Sequence, residues 1–301
     1  MDYQLLIVIL VDGLVYSSYL FMVAVGLTVI FGVQKVLNVT HGSFYAFGAY
    51  LAASMIALYY GNEDLPAFGG FVLIFLCAAV LGVIFAVVIE RGLLRHLYDR
   101  DEHIIVLATF AAFLALEDVI LLIWGTDPYF AGQPMELLGS TDIADLPFDN
   151  YNLSMIGLSV LVAAALWFSL RRTKWGKMLL AVIYDREISQ AMGINVTAVF
   201  LGTFMIGAFL GALGGAYQAP TISVLPGIGV EVIVLAFAVV VIGGMGSIPG
   251  ALIGSIVVGI ARASAVHMLP EVELFVIYAI MALVLMFRPQ GLFAPVQARK
   301  I

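Results

Sequence analysis

The chain has 301 residues, 63% of them hydrophobic and 11% charged, with a formal charge of -7 and a mean hydropathy of +1.11. Soluble globular domains carry about 25% charged residues, so a water-soluble domain is excluded, and no basic patch points to nucleic acid. Apolar runs of about 20 residues recur, the length a helix needs to cross the hydrocarbon, without the ten-residue alternation of a membrane barrel.

Asp2 and Asp12 stand where a signal peptide would carry basic residues, so the N-terminal segment is expected to stay attached. Residues 5–33 form the first expected span, 33–41 (VQKVLNVTH) a short polar break with Lys35, and 42–60 the second span. An outer turn with Glu63 and Asp64 leads to a third span at 68–90, whose run holds the sole cysteine, Cys77, read as a small buried hydrophobe. A charged connection at 91–102 contains Arg91, Arg95 and Arg100. The fourth span, 103–125, is followed by a polar stretch, 126–151, with five acids and no Lys or Arg, and then by the fifth span, 152–170. Residues 171–195 hold five of the thirteen basic residues. Four further spans are expected at 196–217, 229–245, 251–267 and 273–287, and all ten prolines fall in the separators. The expected fold is an all-α polytopic membrane protein in one domain, 1–301, with nine spans. The count falls to eight if a short segment beside GGMGSIPG enters and leaves by the same face.

Basic residues collect on the cytoplasmic side of membrane proteins. With 171–195 inside, twelve of the thirteen fall inside and only Arg262 lies within a span, whereas Glu63, Asp64, Asp127, Glu136, Asp142, Asp145 and Asp149 fall outside. This places the N-terminus outside and the C-terminus in the cytoplasm.

Asp12, Glu117, Asp118, Glu231 and Arg262 lie in or near apolar segments, where a charge costs about 2.5–3.5 kcal/mol at mid-helix. They are candidates for a polar pathway or an interhelical pair, such as Arg262 with Glu231, unless those near segment ends reach the interface. His41, at the polar break, is a candidate for a structural hydrogen bond or a substrate contact. Gly207, Gly211 and Gly215 repeat at the four-residue spacing that lets membrane helices approach closely. GGMGSIPG lacks the Gly-Lys-Ser/Thr ending of a nucleotide-binding loop. His41, His96, His103 and His267 have no metal-ligand spacing, and no catalytic group or cofactor is expected.

Within 171–195, Asp185, Arg186 and Glu187 open a short amphipathic helix through Ile188, Ala191 and Met192, which Gly193 stops. Its apolar face could rest on the protein's own underside or dock in a groove of another protein.

The stretches GLTVIFGVQKVLNVTHGSFYAFGAYLA, YDREISQAMGINVTAVFLGTFMIGAFLGALGGA, VVVIGGMGSIPGALIG and FRPQGLF occur in the order found in one family. The resemblance they carry extends from about residue 5 to residue 294, and the chain closely resembles the membrane-spanning permease subunits of branched-chain amino acid ABC transporters, of the smaller subunit type. The resemblance implies an importer half that hydrolyses nothing itself. Its partners would be two cytoplasmic ATP-binding subunits, a second and commonly unlike permease subunit, and an extracytoplasmic substrate-binding protein. It implies that Arg186, Glu187, Ala191, Met192 and Gly193 form the coupling helix to the ATPase. Urea and short amides are alternative cargoes within the family, and an ion-coupled secondary carrier is the reading from outside it.

Overall fold

The computed structural model describes residues 3–61 and 65–293. Asp2, the turn acids Glu63 and Asp64, and the tail cations Arg299 and Lys300 lie outside the described residues.

The first helix, α1 (Tyr3–Gln34), is 32 residues long, about 48 Å and well beyond the roughly 30 Å of hydrocarbon. Its N-terminal part exposes Tyr3, Leu6, Leu10 and Leu14, one flank that faces lipid, whereas almost every residue from Ser17 to Gln34 is buried. A helix apolar on all sides belongs inside a bundle, and α1 is the axis of this one. Helices α9 (Val196–Gln218), α10 (Ile228–Gly243) and α11 (Ile248–Met268) pack against it, and α2 (His41–Tyr60) packs mainly on α9. At the periphery stand α3 (Gly69–Phe85), α4 (Glu102–Trp124), α6 (Asn150–Arg172) and α12 (Glu273–Phe287), which present large apolar side chains such as Leu76, Leu122, Leu161 and Phe275 outward. Buried small residues set the closest approaches: a Cβ at Gly13 would lie 3.0 Å from the Ile260 backbone, bringing α1 and α11 together.

Seven helical segments are long and apolar enough to cross a membrane. The two short ones, α10 and α12, have 16 and 15 residues, about 24 and 22 Å. The nine expected runs thus all form helices, of which seven have spanning length. Between α10 and α11, GGMGSIPG makes a tight turn at 244–247. Ser247 caps α11 by accepting from Gly250 N at 3.1 Å, with Pro249 in the first turn, where a missing N–H costs nothing. The end of α10 is closed by the chain after α12, since Leu292 N and Phe293 N donate to the carbonyls of Ile242 and Gly243, each at 2.9 Å.

One feature departs from the all-helical expectation. The acidic stretch after α4 holds a short helix, α5 (Gln133–Glu136), and a hairpin of β1 (Ser140–Ile143) and β2 (Leu146–Asp149), in which Ser140 pairs with Asp149 and Ile143 with Leu146. Its two loop residues, Ala144 and Asp145, both have positive φ, 55° and 63°, the twist that a two-residue hairpin turn demands. The segment 171–195 is mostly helical. After α6 ends at Arg172, Thr173 caps α7 (Lys174–Tyr184), which buries Gly176, Leu179 and Val182, and α8 (Arg186–Ala191) follows at once.

Candidate functional site

The polar break after α1 does not lie in water. Gln34 ends α1 with its Nε2 donating to the Phe200 carbonyl at 3.1 Å, near the start of α9. Seven residues later His41 packs against Gly211, eleven residues further along α9, about 16 Å. The chain between, turned by Lys35 at φ 57°, therefore climbs into the bundle, and Val36, Asn38, Thr40 and His41 are buried. A buried non-helical backbone must find partners within the protein. Asn38 Oδ1 accepts from Thr40 N (3.2 Å) and Thr40 Oγ1 (2.5 Å), while Thr109 Oγ1 on α4 accepts from Val39 N at 3.3 Å. The Thr109 proton faces Val106 O at 3.0 Å and Leu37 O at 3.4 Å. Only Lys35 is exposed along the break.

His41 opens α2 from this depth. Its Nε2 lies 2.9 Å from the Val23 carbonyl, so that nitrogen carries the proton. The ring occupies room left by two glycines: a Cβ would come within 2.9 Å of its Cε1 from Gly26 and within 2.8 Å from Gly211. The next residue, Gly42, touches α10, where a Cβ on Gly229 would lie 3.0 Å from the Gly42 carbonyl and 2.5 Å from Glu117 Oε1. Two helix N-termini, those of α2 and α10, thus meet beside the Glu117 carboxylate of α4. The dipoles of both helices favour negative charge at this point. Four buried polar atoms along this side lack partners among the described residues: His41 Nδ1, Ser43 Oγ, Tyr50 Oη and Glu117 Oε1. Such atoms are few in folded proteins and call for an explanation. Ser43 and Tyr50 escaped the sequence reading because a lone Ser or Tyr in an apolar run carries no signal of its own. Asn38 and Thr109, which hold the break, were missed for the same reason.

The other intramembrane candidates are placed differently. Asp118 is exposed and makes no ion pair among the described residues, and Glu231 also stands exposed, in the first turn of α10. Arg262 does not pair with Glu231. It bridges to Glu273 at the start of α12 and lies 3.9 Å from the centroid of the Tyr16 ring, because the α11–α12 turn brings Glu273 to its depth. Asp12 pairs with His267 at 2.8 Å, tying α1 to the end of α11.

At the opposite end of α9, α8 stands on buried Ser189 and turns its apolar residues away from the bundle: Ile188 is 62% exposed and Met192 78%. Asp185 is the N-cap, its Oδ1 accepting from Ile188 N at 2.8 Å. Glu187 is exposed and forms neither cap nor ion pair among the described residues. At the far end, Gly193 N donates to Gln190 O (2.9 Å) and Ile194 N to Ser189 O (3.0 Å), with Gly193 at φ 83°. These two bonds make a Schellman closure. Ala191 is exposed on the last turn, and the Arg186 guanidinium lies 5.4 Å from the Phe200 ring centroid. Tyr98 meets the same ring edge-on. Its burial, and then the nearby Glu90 carboxylate, push its hydroxyl above the ordinary tyrosine range, so it remains a donor, 3.4 Å from Glu90 Oε1.

A bundle of helices long and apolar enough to cross a membrane, with buried polar groups where α2 and α10 meet and a short apolar helix projecting from one end, is the architecture of a polytopic membrane protein. A family model for the permease component of the branched-chain amino acid transport system matches residues 9–285, and the chain belongs to that family. It is 27% identical over 301 residues to the high-affinity branched-chain amino acid transport system permease protein BraD of Pseudomonas aeruginosa, covering 97% of each chain. The corresponding LivH of Escherichia coli K12 is 27% identical over 302 residues, 96% of each chain. The ribose import permease protein RbsC of Haemophilus influenzae is 28% identical over 252 residues, covering 79% of this chain and 71% of its own.

Proposed function

We propose that this chain is one membrane-spanning half of an ATP-driven importer of branched-chain amino acids in the cytoplasmic membrane. The relatives matched along nearly their whole length are named for that cargo, whereas the ribose permease matches over a smaller share. A second permease subunit, two cytoplasmic ATP-binding subunits and an external substrate-binding protein complete the assembly. In this reading α10 and α12 complete their crossings with the non-helical segments beside them, giving nine spans in one domain.

The observation that carries the reading is the apolar face of α8. Ile188 and Met192 stand clear of the bundle on a two-turn helix capped at both ends. Exposed apolar groups held on so rigid a support suit a groove on another protein. Closure of the ATPase pair would push on α8, and α7 and α9 would transmit the movement to the junction of α2 and α10. There the unpartnered groups of His41, Ser43, Tyr50 and Glu117 line the route. The test is substrate-stimulated ATP hydrolysis and subunit co-purification for Ile188→Asp and Ala191→Trp, in membranes where the variant accumulates normally. Loss of both signals is expected; unchanged coupling in both variants, with normal transport, would sink the proposal.

A further inference from the structure

Behind α8, on the side we place in the cytoplasm, three cations from distant parts of the chain reach one cleft of about 350 Å³: Lys35 after α1, Arg100 before α4, and Arg186 on α8. Phe200 and Tyr98 form part of its wall, and Glu102 is the one carboxylate in the lining. None of the three cations has a carboxylate within ion-pairing distance among the described residues.

Glu102 also borders a second cleft, of about 540 Å³, whose wall, beyond Glu102 and His103 at its mouth on the first turn of α4, is apolar: Leu37, Val39, Val106, Leu107 and Phe110. This groove lies between the buried break and α4. It follows α4 from its first turn to Phe110, about 12 Å further into the bilayer. A cationic cleft at the interface thus opens beside an apolar groove that descends into the hydrocarbon.

We propose that the two clefts together bind one anionic phospholipid of the cytoplasmic leaflet, its phosphate among Lys35, Arg100 and Arg186 and an acyl chain along α4. Basic pockets between membrane helices on the cytoplasmic side suit such headgroups, and guanidinium forks match phosphate oxygens. The groove selects a lipid over a free anion, because a soluble phosphate would leave it unfilled. A lipid seated there joins the break, the α3–α4 connection and α8, so its occupancy would hold the coupling helix against the bundle. The site rests on the membrane orientation proposed above and not on the identity of the cargo.

The test uses the assembled transporter, exchanged into mixed vesicles of phosphatidylcholine and phosphatidylglycerol in equal parts, re-extracted, and examined by native mass spectrometry for retained lipid. Wild type should retain phosphatidylglycerol in preference to phosphatidylcholine. Lys35→Asn, which tolerates the positive φ, and Arg100→Gln should each weaken retention about fivefold. Leu107→Trp, at a side chain 68% exposed, should fill the groove and remove the lipid with every cation in place. Equal retention of the two lipids, displacement of phosphatidylglycerol by inorganic phosphate, or full retention in Leu107→Trp would each overturn the proposal. Retention is read without ATP or substrate, so a transporter that binds the lipid but fails to couple through α8 would refute the importer mechanism alone.

Discussion

At the scale of single residues, the buried break depends on a few polar side chains whose loss cannot be made good by water. Thr109 Oγ1 accepts from Val39 N and stands against Leu37 O. Thr109→Val keeps the shape but strands the Val39 amide, and leaving a buried group unpaired costs about 1–3 kcal/mol. Thr109→Ser should recover most of that loss in denaturant unfolding of the detergent-solubilised protein. His41 and Gly211 should behave as a coupled pair, since a Cβ at Gly211 would come within 2.8 Å of the imidazole. Gly211→Ala should therefore destabilise by about 1–3 kcal/mol through overpacking, and by much less in a His41→Ala background. Additive losses in that double-mutant cycle would show that the glycine serves only the approach of α1 and α9.

Among the elements, α8 is short enough for its two ends to decide whether it forms at all. Asp185 supplies the N-cap, so Asp185→Ala should cost about 1 kcal/mol and speed hydrogen exchange at the Ile188 amide. Glu187→Ala, lacking a cap or an ion pair within the described chain, should leave that amide unchanged. At the other end, Gly193→Val forces a β-branched residue to φ 83°, a penalty on the order of 1 kcal/mol or more. Gly193→Asn should be far milder, because Asn accepts that region. Co-purification of the ATP-binding subunit should follow the same order. If Gly193→Val retained the partner as well as Gly193→Asn does, the turn would not be what presents Met192.

For the whole molecule, the orientation and the buried break make a joint prediction in a Cys77→Ala background. Thr141→Cys should react with an impermeant thiol reagent added outside intact cells, and Gln190→Cys only when the cytoplasmic face is opened. Val36→Cys, only 3% exposed in the wild-type structure, should resist from both sides. Labelling of Gln190→Cys from outside would reverse the orientation, and rapid labelling of Val36→Cys would return the break to water.

Much of the architecture was legible in the sequence. Lipid offers the backbone no hydrogen-bond partners, so each crossing segment must satisfy its own N–H and C=O groups as a helix, and run length alone reports it. Hence the nine apolar runs became helices, no described proline fell in the interior of one, and Asp185 through Gly193 already spelled a capped helix. The hairpin at 140–149 was not legible, because Ala144 and Asp145 replace the glycine or asparagine that usually marks such a turn. Nor could sequence say whether VQKVLNVTH met water or Thr109, since the same polar side chains suit either surrounding. Depth and partnership are relations between segments. The choice of Glu273 over Glu231 for Arg262, the meeting of α2 and α10 beside Glu117, and the gathering of Lys35, Arg100 and Arg186 at one cleft follow from how the helices stack. Helix formation in lipid is settled residue by residue within a segment, and the sequence alone determined it. Close packing of one segment's glycines against another's side chains is a property of pairs, and only the tertiary structure decided it.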